Sequence, residues 1–336
     1  MVGWFCCFYD IVVVGAFVLM MFMTESCTNR KSGSLELDFS DARYVTPDTF
    51  HIEETIMFPW GMRAVGPNLI TANHKRDTIF DAFTIPEISY TSSGIIKGAG
   101  PDEVPYAMLT TLERTSQPDC LTFLSGVPSE LVTIHVPDFH IIDKSVHKMP
   151  EGWPGEQSML RLRGDTVVAQ RFDMPLEWII VDGYGNTVAT LDIPVPDDIM
   201  AAAGNDEWNN MVIHSSIGLP SPDGSRVAIC TKVYPSVFIF DSKGNKINTV
   251  TMPYVAQISG YILSADSNRE AIYVCYHDPS DKEFKECTIA VIDWDGNYIK
   301  SYKVPGPTAP ITVDEYGRYL YYSGHHEDDN LYRIKL

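Results

Sequence analysis

IIVDGYGNTVATLDIP at residues 179–194, FIFDSKGNKINTVTMP at 238–253 and AVIDWDGNYIKSYKVP at 290–305 are three versions of one pattern. Each opens on an apolar, β-rich run and continues as Asp-x-x-Gly-Asn. Each closes on an alternating run that ends in a proline eight residues after the Asn (Pro194, Pro253 and Pro305). The leading aspartates, Asp182, Asp241 and Asp293, stand 59 and then 52 residues apart. Strand, tight turn and strand recurring at that interval is how a β-propeller blade reads in sequence.

Working outward, the flanking residues complete four strands per blade. The third blade reads Ser158–Leu162, Thr166–Phe172, Trp178–Val181 and Thr187–Ile193, with Arg163-Gly164-Asp165 turning the first pair. The fourth reads Ser216–Leu219, Arg226–Lys232, Val237–Phe240 and Lys246–Met252, around Ser221-Pro222-Asp223-Gly224-Ser225. The fifth reads Tyr261–Ser264, Ala271–Tyr276, Thr288–Ile292 and Tyr298–Val304. Asp, Gly and Asn in these turns supply the positive φ angles that tight hairpins need.

Two earlier blades are degenerate. Leu69–Asn73 and Ile79–Thr84 precede Pro86-Glu87, and Cys120–Leu124 and Leu131–His135 precede Pro137-Asp138. These Pro-acid pairs are 51 residues apart and occupy the place of the Asp-x-x-Gly turn. The sixth blade has Ile311–Asp314, Arg318–Ser323 and Leu331–Leu336, and then the chain stops one strand short. An unpaired sheet edge exposes backbone donors and acceptors. The segment Asp48–Met57 belongs to no blade and reads as an outermost strand, so it is expected to complete the sixth blade. The fold expected is all-β, a six-bladed propeller over residues 46–336 closed by an N-terminal strand.

Residues 1–26 read as an export signal. Ile11–Met23 is an uncharged apolar run of 13 residues, short of the roughly 20 that span a bilayer. Thr24-Glu25-Ser26-Cys27 then resembles a lipoprotein box, with Cys27 the lipidated residue and 27–45 a tether to the fold. The stretch before the run has no Lys or Arg and contains Asp10, which leaves an uncleaved anchor as the alternative. Net charge is −19 for 336 residues; without residues 1–26, 42 acids oppose 25 bases, or −17. So acidic a body repels phosphate backbones, and nucleic acid is excluded as a partner. No Cys-x-x-Cys occurs, which excludes a thioredoxin-type motif and the usual structural zinc site. Cys275 and Cys287 lie on neighbouring expected strands, as a disulfide or as two buried thiols.

Cys27, the Gly98-Ala99-Gly100-Pro101-Asp102-Glu103 segment after the first blade and Ser221-Pro222-Asp223-Gly224 together resemble the TolB-like six-bladed propeller lipoproteins of Bacteroidetes. The resemblance covers about residues 45–336. It implies the fold and a cell-envelope, outer-membrane location, with no agreed reaction and no residue set to transfer.

Loops joining second to third strands, and blade to blade, share the face where propellers usually bind ligands. The ligand candidates there are Trp60, His74, Arg76, Arg171, Trp208, Tyr234, His277 and His325. GAGPDEVP (98–105) lacks the Gly-Lys-Ser/Thr ending of a phosphate loop and reads as an inter-blade crossover. His325-His326-Glu327-Asp328-Asp329 reads as a solvated turn rather than a cation site, and no metal or cofactor is expected. In the long insertion Val195–Met211, Ile199–Ala203 has the makings of one helical turn. Trp208 there suits either ligand contact or a plug over the channel.

No Gly-x-Ser-x-Gly elbow or His-Glu-x-x-His helix is present. The expected function is therefore a lipid-anchored, monomeric envelope module binding a protein or glycan. The alternative is a hydrolase or lyase acting on a small ester, lactone or glycan at the channel, which a converging carboxylate set would favour.

Overall fold

The computed structural model describes residues 33–53, 61–73, 76–126, 129–171, 173, 176–306, 308–324 and 329–336. Six sheets follow one another along these residues, each ordered from an inner strand outward. The inner strands are Gly61–Val65, Ala107–Arg114, Glu156–Arg163, Ser216–Pro220, Ile262–Ser267 and Thr308–Val313. Each contacts the next, and the last contacts the first, so six blades close a ring.

The repeated segment builds what its residues dictate. In the third blade Trp178–Val181 and Thr187–Thr190 form the outer hairpin, with Asp182, Gly185 and Asn186 in its turn. Ser236–Asp241 with Lys246–Thr251, and Glu286–Asp293 with Tyr298–Pro305, repeat it in the next two blades. The Pro86 and Pro137 turns stand at the equivalent hairpins of the first two blades. Apolar faces of neighbouring blades fill the space between them; Trp178, 2% exposed, packs with Leu160, Ile229 and Phe240 across the third and fourth.

The sixth blade takes its fourth strand from the front of the chain. Asp48–His51 pairs antiparallel with Asn330–Lys335, matching Asp48 to Arg333 and His51 to Asn330. The pairing expected over Asp48–Met57 is seen for its first four residues; 54–60 lie outside the described residues. The stretch expected to act as tether also carries strand. Gly33–Glu36 joins the outer edge of the fourth blade, where the Leu37 amide donates to the Thr251 carbonyl at 2.8 Å. Arg43–Tyr44 runs parallel to the outermost strand of the fifth. The arm thus covers the outer edges of three successive blades.

The GAGPDE crossover folds back, so that Glu103–Val104 pairs parallel with Ile96–Lys97 as a fifth strand of its own blade. The insertion holds two helices rather than one turn: α1, Asp197–Ala203, and α2, Glu207–Ile213. The second buries only Ile213 and leaves Trp208 and Met211 exposed; the Asp206 side chain caps it, accepting from the Asn209 amide at 2.8 Å. Cys275 and Cys287 are buried thiols, not a disulfide, and Cys275 Sγ donates to the Thr308 carbonyl. Among the described residues no helix is long and apolar enough to cross a membrane.

Candidate functional site

The inner strands enclose two chambers on the axis. The upper, about 580 Å³, lies where inner strands begin and second strands end, on the face of the inter-blade loops. The lower, about 480 Å³, lies where inner strands end, and it runs outward between the second and third blades to Ile142 and Asp143. Arg63 borders both.

A buried ion cluster stands at that boundary. The Arg63 guanidinium donates to Asp266 and to the Leu112 carbonyl. Arg114 donates to both Asp266 oxygens, at 3.1 and 2.9 Å, and to the Ser267 and Val313 carbonyls. Thr312 Oγ1 and the Val313 amide complete the shell of Asp266, at 2.6 and 2.9 Å. Burial alone would raise the Asp266 pKa; the Arg114 and Arg63 charges outweigh it and hold the carboxyl down at about 2. Four blades meet in this cluster, which ties the inner strands together.

Glu113 lines the lower chamber and behaves in the opposite way. Burial pushes its carboxyl up to about 8, against a hydrogen bond from the Arg161 amide to Oε1 at 2.8 Å. It is therefore largely protonated at neutral pH. Asp223, also on this wall, is occupied in its own turn, accepting from the Ser221 and Ser225 hydroxyls.

The upper chamber is framed by all six blades and lined by apolar side chains, Met62, Leu109, Leu263 and Ile311 among them, interleaved with the hydroxyls and amides of Thr110, Gln157, Ser158, Gln170, Ser216 and Ser264. Several are held in place. Gln170 Nε2 donates to the Leu176 and His214 carbonyls at 3.2 and 3.3 Å. Trp178 Nε1 donates to Ser216 Oγ at 2.8 Å, and the Ile311 amide to Ser264 Oγ at 3.1 Å. Lys232 adds a second cation to Arg63, and burial lowers its pKa. Among the described residues no Asp, Glu or His lines this chamber.

The described residues among those expected to bind ligand are not brought together. Trp60, His74 and His325 lie outside the described residues, as does Cys27. Arg76 pairs with Asp81 at 3.1 Å. Arg171 pairs with Asp173 at 2.9 Å and sits over the Trp153 ring. Tyr234 is 1% exposed inside the apolar core. His277 is equally buried, stacked on Phe284 with ring centroids 4.0 Å apart. Trp208 stands 67% exposed on α2, which rules it out as a packed plug. None of these five lines either chamber.

Sequence reasoning looked to loops, whereas the chamber is lined chiefly by the first residues of inner strands. One signal was available: Ser158, Ser216 and Ser264 stand 58 and 48 residues apart, following the blade period.

No protein-family model matches the chain, and no curated protein does. Solved structures do. A Bacteroides fragilis protein given the provisional description of exported is 11% identical, with TM-score 0.54, and the match covers 90% of this chain and 99% of that one. A DUF4221-family protein of Bacteroides vulgatus is 14% identical, with TM-score 0.57, covering 86% and 95%. At such identity the likeness is one of fold, and a propeller's fold does not set its chemistry.

Proposed function

We propose that this protein is an exported propeller of the TolB-like lipoprotein kind, anchored through Cys27, that binds an envelope glycan on its upper face. The observation that carries the reading is the upper chamber. Its volume of about 580 Å³ lies within the range of roughly 300–1,000 Å³ typical of small-ligand sites. Its lining of hydroxyls and amides among apolar side chains, with Lys232 and the net-positive Arg63–Arg114–Asp266 cluster and without a carboxylate among the described lining residues, suits a sugar unit that offers both apolar and hydroxyl faces and carries an acid group. In a chain of net charge −19, that local reversal of sign draws an anionic group inward. The provisional description of the Bacteroides fragilis neighbour agrees with export. The hydrolase alternative would rest on the lower chamber, where Asp266 is bound to two arginines, Asp223 is held in its own turn and the protonated Glu113 has the state of a general acid.

The test is a glycan array probed with wild type, T110W and K232M. Thr110 is exposed and lines the chamber, so a tryptophan there fills the space with little cost to the fold. Binding of acidic glycans by wild type, abolished in T110W and weakened in K232M, is the expected result. No acidic glycan bound, or equal binding by all three proteins, ends the reading. Turnover of an ester or lactone panel that chelation abolishes would replace it with the hydrolase alternative.

A further inference from the structure

We infer that the outer hairpin of the second blade is a divalent-metal site, with His135, Asp138 and His140 as ligands and zinc as the metal it fits. The three side chains offer two imidazole nitrogens and a carboxylate oxygen, all within 4.8 Å of one another. His135 Nδ1 lies 2.6 Å and His140 Nδ1 3.0 Å from the same oxygen, Asp138 Oδ1. Ligand atoms around tetrahedral zinc stand roughly 3.3 Å apart, as bonds of about 2.0–2.2 Å require. Small side-chain rotations therefore convert the hydrogen-bonded trio into a coordination shell. Each imidazole binds zinc through Nδ1 as the neutral tautomer that keeps its proton on Nε2, and any further proton leaves to solvent.

The backbone beneath the trio is already set. His135 ends the strand Ser129–His135, Ile141–Ser145 is the next, and the His135 amide donates to the His140 carbonyl at 3.0 Å. The two histidines thus face each other across the hairpin, their ring centroids 5.1 Å apart. The turn between them is fastened to the first blade at two points. Phe139, 6% exposed with φ of 55°, stacks on Phe80, and Ser92 Oγ donates to the Pro137 carbonyl at 2.7 Å. Holding a non-glycine residue at positive φ costs free energy, and the buried ring is what stabilises it. A ligand set on so fixed a turn loses little entropy on binding.

The donor set selects the metal. Two imidazoles and one carboxylate suit zinc and its first-row neighbours rather than calcium or magnesium, which prefer oxygen alone. Three protein ligands leave a coordination position open, and the residues are 36% to 59% exposed, so water or a partner's side chain can take it.

The test is calorimetric titration of the untagged full chain with zinc, compared with H140A, D138N and H51A. His51 is exposed in the sixth blade and serves as the control. Wild type and H51A should show a site that H140A and D138N lose or hold at least about tenfold more weakly. Cobalt in place of zinc should give wild type, but not H140A, an intense visible spectrum of low coordination number. Far-UV circular dichroism checks that the variants are folded. Equal zinc affinity in wild type and H140A, or a cobalt spectrum no different from the aquo ion, overturns the assignment.

Discussion

In the turn at Asp241, one carboxylate oxygen accepts from the Lys243 and Asn245 amides, at 2.8 and 2.9 Å, and the other from the Asn245 side chain at 2.8 Å. Asp182 and Asp293 make the same three bonds two and four residues on. The spacing Asp-x-x-Gly-Asn is therefore a wiring rule. Aspartate satisfies amides that the hairpin turns away from the ladder, Asn returns a side-chain donor, and glycine adopts the left-handed bend between them. Gly244 has φ of 83°, and a Cβ there would stand 2.3 Å from Ala189 Cβ of the preceding blade. Backbone strain and that contact act together, so G244A should lose about 1–3 kcal/mol of stability, read from the urea midpoint. An unchanged midpoint would show that the turn can open away from its neighbour at no cost.

At the scale of the element, the joint between chain ends hangs on few contacts. Four backbone pairings join Asp48–His51 to the last strand. Arg333 clamps them, donating to Asp48 at 2.6 and 3.1 Å and to the Pro86 carbonyl, with its guanidinium 5.0 Å from the Phe50 and Tyr319 rings. Asp48 is 62% exposed, so its ion pair adds little; the stacking between two rings supplies most of the effect. R333A should cost about 1–2 kcal/mol and raise amide exchange in residues 48–51 before other edge strands. Uniform exchange with no preference for that arm would place the weak point elsewhere. The joint was legible in the sequence because a missing fourth strand and a spare segment have to answer each other. The strands at Gly33–Glu36 and Arg43–Tyr44 were not, since short additions to an already complete sheet leave no deficit to read. The helix α2 escaped for a related reason: a cap and one buried side chain, Ile213, hold it, while Trp208 and Met211 face solvent.

For the whole molecule, the ring follows from a period, whereas the chambers depend on which residues six separate strands turn toward one axis. Arg63, Arg114 and Asp266 lie up to 203 residues apart, and nothing local to any of them marks it for the boundary cluster. Their placement, with Glu113 nearby, makes stability depend on pH in two opposed ways. Asp266 has its carboxyl lowered from 3.8 to about 2, so its contribution is full above about 3.8 and is lost as pH falls toward 2. Glu113 is raised from 4.5 to about 8. Between those values the folded chain holds a proton that the unfolded chain has released, so stability falls as pH rises, by up to about 1.4 kcal/mol per pH unit. These two groups together place the optimum near pH 4–4.5, between the two unfolded values. Substituting E113Q keeps the shape and removes the proton. Its unfolding free energy should match wild type near pH 4.5 and exceed it increasingly toward pH 8, as measured by urea titration at each pH. The general repulsion of an acidic surface is common to both proteins and drops out of the difference, so parallel curves from pH 4.5 to 8 would mean that Glu113 ionises normally and that the lower chamber is wet.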